Sequence, residues 1–302
     1  MSSHLQPPFR VLLATDDSDP ARQAEAWVAR LRWSRPCVVD VLCVAGHGIT
    51  RLGWGMQTYR PTVRQAVEQI RQDELLAGER IANTVGERLQ QAGLTVHAWA
   101  RQGDAAEEIL ATVELERPDL IVLGPRGRSG LAQVLLGSVS HEVTVAARRP
   151  ILVARRPLSE AGPLPAHVLV AVDGSPAAEV AIDWLARSGW TAGTQLTLLG
   201  LLGVSPGVDT DEPEITSVLS ELVRQDAIAY LDRMSAPLAT QAAELQIDLR
   251  SGHPLQATLG ATAEFGVDLA VVARPGRRRG LDPFAEKVAR HAPVSVLVVP
   301  VT

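Results

Sequence analysis

Val11-Leu-Leu-Ala-Thr-Asp16-Asp17-Ser18 returns 157 residues later as Val168-Leu-Val-Ala-Val-Asp173-Gly174-Ser175. The match runs without a gap to Trp27-Val-Ala-Arg30 against Trp184-Leu-Ala-Arg187. Further on, Pro118-Asp119-Leu-Ile-Val-Leu-Gly124-Pro-Arg-Gly127 corresponds to Val267-Asp268-Leu-Ala-Val-Val-Ala273-Arg-Pro-Gly276 at an offset of 149. Pro150-Ile-Leu-Val153 corresponds to Ser295-Val-Leu-Val298 at 145, so the second copy has lost four residues between Gly276 and its last strand. A chain of 302 residues therefore divides into two copies of ordinary domain size. The boundaries read as 1–156 and 166–302. The intervening 157–165 is rich in Pro and Gly and reads as a linker.

Within the first copy, short and nearly continuous apolar runs predict strands at Phe9–Thr15, Val38–Val44, Leu94–Ala100, Leu120–Leu123 and Ile151–Ala154. Such runs mark strands buried on both faces. Helical stretches fall between them, roughly Pro20–Arg32, Thr62–Gln91, Ala105–Glu116 and Leu131–Arg148. The second copy repeats the pattern, with strands at His167–Val172, Gln195–Leu201, Leu245–Arg250, Leu269–Ala273 and Ser295–Val299. Strand alternating with helix implies a parallel sheet with right-handed crossovers. The fold class expected is α/β: two doubly wound, five-stranded, Rossmann-like domains in tandem. Such sheets bind ligands beyond the carboxyl ends of their strands, where the strand order reverses.

Composition narrows the function. The net charge of −5 argues against a general nucleic-acid binder, which needs a basic surplus. The N-terminus has no apolar segment of signal-peptide type, and the longest apolar run, near Leu196–Val204, is far short of the roughly 20 residues that span a bilayer. A cytoplasmic protein without membrane contact is expected. Cys37 and Cys43, placed on one strand, lie too far apart to bridge. Lys287 is the only lysine, so a lysine-dependent phosphate loop is excluded elsewhere. The histidines form no i,i+4 metal pair, and Trp27 and Trp184, at equivalent helix positions, are expected in the cores. The glycine-rich stretch Gly46–Tyr59 after the second strand reads equally as a lid or as a surface loop.

The chemistry gathers at the ends of the first and fourth strands of copy one. Gly124-Pro-Arg126-Gly127-Arg128 leads, after nine residues beyond Gly127, to Gly137-Ser138-Val139-Ser140. Glycines let backbone approach a ligand closely. Gly137-Ser138 opens the last helix after a short apolar turn. Its exposed N–H groups, with the Ser138 and Ser140 hydroxyls, make an anion site that needs no lysine. Arg126 and Arg128 add positive charge.

These residues resemble the ATP-binding pattern of the universal stress protein family, and the resemblance covers nearly the whole chain as two tandem copies. It implies that Gly124, Gly127, Gly137, Ser138, Val139 and Ser140 hold phosphates and ribose. It implies also that Asp16, with Ala14 and Thr15, sits against the nucleoside, and that backbone at Cys43 meets the adenine edge. ATP with a bridging Mg²⁺ is the implied cofactor. Asp17 departs from the family's more usual glycine, which is expected to perturb the turn without removing the site. Family members commonly dimerise through the last strand, so Ile151–Ala154 and Ser295–Val299 are expected to pair as an intrachain pseudo-dimer, with a homodimer also compatible.

Copy two keeps Asp173-Gly174-Ser175 but carries Ala273 for Gly124 and Asp282-Pro283 for Gly137-Ser138, in a shorter loop. Proline removes a donor and aspartate sets an anion where phosphate would lie. Arg277–Arg279 reads mainly as solvated surface. The expectation is an adenine-nucleotide-binding stress or signalling module, competent in its first domain only. It is not an enzyme and has no catalytic residues. A slow ATPase and a nucleotide-independent scaffold are the rivals.

Overall fold

The computed structural model describes residues 7–46, 60–126, 136–155, 162, 164–203, 213–275 and 283–301, with 213–217 and 283 described in backbone only. The chain divides into two compact units. Unit 1 takes Met1–Ala29 and Arg35–Ala154, and unit 2 takes Arg30–Ser34 and Arg155–Thr302.

Unit 1 runs β1 (Phe9–Thr15), α1 (Asp19–Arg30), β2 (Cys37–Ala45), α2 (Pro61–Gln91), β3 (Thr95–Gln102), α3 (Ala105–Glu116), β4 (Leu120–Leu123), α4 (Ser138–Ala146) and β5 (Ile151–Val153). Its strands are all parallel in the order β3-β2-β1-β4-β5. Side chains alternate across the sheet. Leu12, Leu42, Val44, Ile121 and Val153 pack with Ile109, Val113 and Val143 of α3 and α4 on one face. On the other face two glycines of α2 allow a close fit. A Cβ on Gly78 would lie 3.2 Å from the Ala100 Cβ, and one on Gly86 would lie 3.3 Å from the Ala98 Cβ. Helix starts follow local chemistry. Pro61 stands in the first turn of α2, and the Asp104 carboxylate accepts the Ala106 and Glu107 N–H groups to cap α3.

Unit 2 repeats the plan with β6 (His167–Val172), α5 (Pro176–Ser188), β7 (Gln195–Leu202), α6 (Pro213–Ala239), β8 (Glu244–Ser251), α7 (Pro254–Glu264), β9 (Leu269–Arg274), α8 (Pro283–His291) and β10 (Ser295–Pro300). Its strand order is β8-β7-β6-β9-β10, again parallel. The expected doubly wound architecture is therefore present twice.

Three expectations change. α1 ends at Arg30, not Arg32, and α4 begins at Ser138. Gly137 has extended backbone (ψ 163°) and donates its N–H to the Pro125 carbonyl at 2.7 Å, so the helix cannot run back through it. Trp27 is fully buried, whereas Trp184 is only partly so; the fully buried ring beside it is Trp190, met edge-on at 5.2 Å between ring centroids. Cys37 and Cys43 both lie on β2, buried and in no disulfide, and burial pushes the Cys37 thiol up to about 12.

The amino-terminal ends of the two sheets solve one problem differently. In unit 1 the buried Asp40 carboxylate is met by Arg10 at 2.6 Å and by His97 Nδ1 at 3.1 Å. At the equivalent positions of unit 2, His167 Nε2 lies 2.9 Å from Thr197 Oγ1, which also accepts from Gln246 at 2.8 Å. Burial lowers the His167 pKa, against the opposing pull of a hydrogen bond to the Phe265 backbone and of nearby Asp268 and Glu244.

Candidate functional site

In unit 1 the strand order reverses between β1 and β4. An open cleft of about 560 Å³, including its mouth, lies beyond their carboxyl ends. One wall is the end of β1, Ala14-Thr15-Asp16. Opposite it stand Gly124 and Arg126 after β4, and Val139 and Ser140 from the first turn of α4. The floor is apolar: Leu42 and Val44 of β2, Leu123 of β4, and Ala105 and Ile109 of α3.

The turn out of β1 is built from side chains. Asp16 Oδ1 accepts the Ser18 N–H at 3.1 Å and the Ser18 hydroxyl at 2.6 Å. Thr15 Oγ1 accepts the Asp17 N–H at 3.1 Å, and Ser18 Oγ accepts the Ala21 N–H at 3.4 Å at the start of α1. Unit 2 repeats two of these four bonds, while Val172 at the Thr15 position has no hydroxyl to offer. Asp173 Oδ1 accepts the Ser175 N–H, and Ser175 Oγ accepts the Ala178 N–H. Asp17 does not perturb the turn as expected. It holds φ +56°, the same left-handed region as Gly174 at +76°. Two ion pairs surround it, to Arg88 of α2 at 3.0 Å and to Arg22 of α1 at 3.4 Å. Arg88 also grips Glu25 of α1 with both Nε and a terminal nitrogen at 2.6 Å. The Glu25 hydrogen bonds raise the Arg88 pKa above its ordinary value, desolvation opposes them, and the bond to Asp17 adds a smaller upward pull.

On the opposite wall the glycines serve the protein's own backbone first. A Cβ on Gly124 would lie 2.6 Å from the Pro20 carbonyl oxygen, so β4 ends hard against the first turn of α1. A Cβ on Gly137 would lie 3.3 Å from Arg126 Cα and from the Pro125 oxygen. Ser140 is buried and donates its hydroxyl to the Gly124 carbonyl at 2.7 Å. Its one hydrogen is spent there, so in this conformation Ser140 offers the cleft a lone pair rather than a donor. Ser138, at the first position of α4, is exposed. It opens the first turn, whose N–H groups have no partner within the helix and attract anions.

Of the residues expected at the site, Ala14, Thr15, Asp16, Gly124, Arg126, Val139 and Ser140 line the cleft. Gly137 and Ser138 are not among the lining residues; they directly precede Val139 at the start of α4. Gly127, Arg128 and residues 47–59 lie outside the described residues. Cys43 is on β2, but its side chain faces away: its sulfur would lie 3.6 Å from a Cβ on Gly78 of α2. Its neighbours Leu42 and Val44 form the lining instead. The sequence reading missed the apolar floor. The two-residue alternation of β2 and the four-residue spacing of Ala105 and Ile109 on α3 were the available signals.

Unit 2 carries different chemistry at the matching places. Ala273 stands for Gly124, Pro275 for Arg126, Phe284 for Val139 and Ala285 for Ser140. α8 begins at Pro283, which has no N–H to offer. Asp282 and Arg277–Arg279 lie outside the described residues. Among the described residues no group of three or more His, Cys, Asp or Glu could hold a metal ion. Nor is any described helix long and apolar enough to cross a membrane.

Comparison with known proteins gives a consistent answer. A family model described as the universal stress protein family matches twice, over residues 9–155 and 166–300. Universal stress protein YxiE of Bacillus subtilis is 29% identical over 147 residues, 48% of this chain and 98% of its own. Universal stress protein MT2052 of Mycobacterium tuberculosis is 29% identical over 191 residues, 59% of each chain. Among solved structures, a universal stress protein from Archaeoglobus fulgidus superposes with a TM-score of 0.64 at 20% identity, over 96% of this chain and 98% of that one.

Proposed function

The chain belongs to the universal stress protein family, and from that premise we propose that unit 1 binds one adenine nucleotide, with ATP as the reference ligand, while unit 2 binds none. The observation that carries the reading is the cleft at the β1–β4 switch point, with the start of α4 facing the Asp16 turn. The N–H groups of the α4 first turn suit phosphate, as does the positive charge of Arg126. The apolar floor of Leu42, Val44, Leu123 and Ile109 suits a flat base. Asp16 on the opposite wall suits a ribose hydroxyl donor.

The donors around the cleft that could meet a cation are oxygens, the Asp16 carboxylate and hydroxyls, which fits Mg²⁺. Mg²⁺ would rest chiefly on phosphate oxygens, with Asp16 as the protein group nearest in kind, and would neutralise phosphate charge there. We read the nucleotide as a retained conformational ligand rather than a substrate. Asp16 Oδ1 is held by two hydrogen bonds from Ser18, which suits an anchor better than a proton-abstracting base. Titration calorimetry with ATP and Mg²⁺, followed by assay of released phosphate, tests both parts. One site per chain without turnover supports the reading. Turnover at rates typical of enzymes, or no binding, overturns it.

A further inference from the structure

We infer that Arg88 is a positioning residue for this nucleotide site: it holds the left-handed Asp17 and so keeps the Asp16 turn in its binding-competent shape. The inference rests on the adenine-nucleotide reading and deepens it. Asp17 is one of two described non-glycine residues with positive φ, the other being Arg117 at the end of α3. Side chains at such positions favour leaving them, aspartate less strongly than most. Two arginines oppose departure. Arg88 reaches from α2 with a two-pronged grip on Glu25 of α1 and a third bond to Asp17 Oδ1. Arg22 adds bonds from its Nε and a terminal nitrogen to the Asp17 carbonyl, at 3.2 and 3.1 Å. Bidentate arginine–carboxylate pairs fix geometry as well as adding energy.

Asp17 sits between the two residues whose hydrogen bonds shape the rim. Its own N–H goes to Thr15, and the next N–H goes to Asp16. If Asp17 relaxes, both bonds break and the Asp16 carboxylate swings from the cleft wall. Affinity then falls by the fraction of molecules still in the competent turn.

Unit 2 serves as an internal control. There Gly174 takes the same conformation with nothing within 4 Å of where a Cβ would be. The counterparts of Arg88 and Glu25 are Pro237 and Ile182, and neither can form such a grip. Glycine needs no clamp, and none was built.

The test is a mutant cycle on the full chain, read by ATP titration with Mg²⁺ and, in parallel, by thermal unfolding. Arg88→Met is expected to raise the ATP Kd about fivefold to tenfold. Asp17→Ala, which keeps the strain and loses the clamp, should do the same. Asp17→Gly should bind within about twofold of wild type, and Asp17→Gly in the Arg88→Met background should restore that affinity. A lower melting temperature with unchanged Kd in Arg88→Met, or no rescue by glycine, would overturn the positioning role while leaving nucleotide binding intact. Absence of ATP binding in the wild type would sink the nucleotide reading and this inference together.

Discussion

A methyl group added to Gly124 would lie 2.6 Å from the Pro20 carbonyl oxygen and 3.1 Å from the Ala21 nitrogen, both backbone atoms that cannot turn aside. Gly124→Ala should therefore destabilise unit 1 by about 1–3 kcal/mol, the usual cost of overpacking, measurable by urea denaturation. A neutral result would mean that β4 and α1 separate easily. Ser140→Ala leaves the Gly124 carbonyl without its donor and should cost about 1–3 kcal/mol in the same assay. Both effects belong to the protein's own scaffold, before any ligand arrives. The sequence points to both positions as ligand contacts, and the structure shows that each also serves the scaffold. A glycine required by a ligand and a glycine required by a neighbouring helix look alike until the third dimension is known.

At the scale of elements, the start of α4 is the decisive feature. Gly137 has φ −68° and ψ 163°, the backbone that a residue before proline prefers, and Ser138 is the first helical position, where proline is well tolerated. Ser138→Pro should hence leave stability within about 0.5 kcal/mol while removing one anion-facing N–H, as Pro283 does in unit 2. We expect ATP affinity to fall about tenfold, and unchanged affinity would remove α4 from the site. The buried polar cluster of β6 and β7 gives a pH test. His167 has a lowered pKa, caused chiefly by burial, so below its ordinary value of 6.5 the unfolded chain binds more protons than the folded one. Stability should be complete above pH 6.5 and decline as pH falls through and below it; His167→Gln should flatten that part of the curve. An unchanged slope would mean that His167 charges freely in the folded protein.

Strands, helices and the doubly wound parallel architecture were legible because apolar periodicity and the repeat pointed the same way. The start of α4 was less so, because only the Gly137–Pro125 hydrogen bond decides it. The Arg88–Asp17 bridge spans 71 positions and leaves no local signature.

The whole molecule holds two units of one fold whose residues at the matching strand ends differ. A ligand that binds one folded unit stabilises that unit by mass action, about 2.7 kcal/mol at a concentration of 100 Kd. Calorimetry of the full chain with ATP and Mg²⁺ should accordingly raise the unfolding of unit 1, and Ser138→Pro should reduce that rise. We propose one nucleotide site per chain, in unit 1. The most direct test is the ATP stoichiometry of the purified chain, for wild type and for Gly137→Asp, which places an anion at the start of α4. We expect about one nucleotide per wild-type chain and none in the variant. Two per wild-type chain, or one that survives Gly137→Asp, would contradict it.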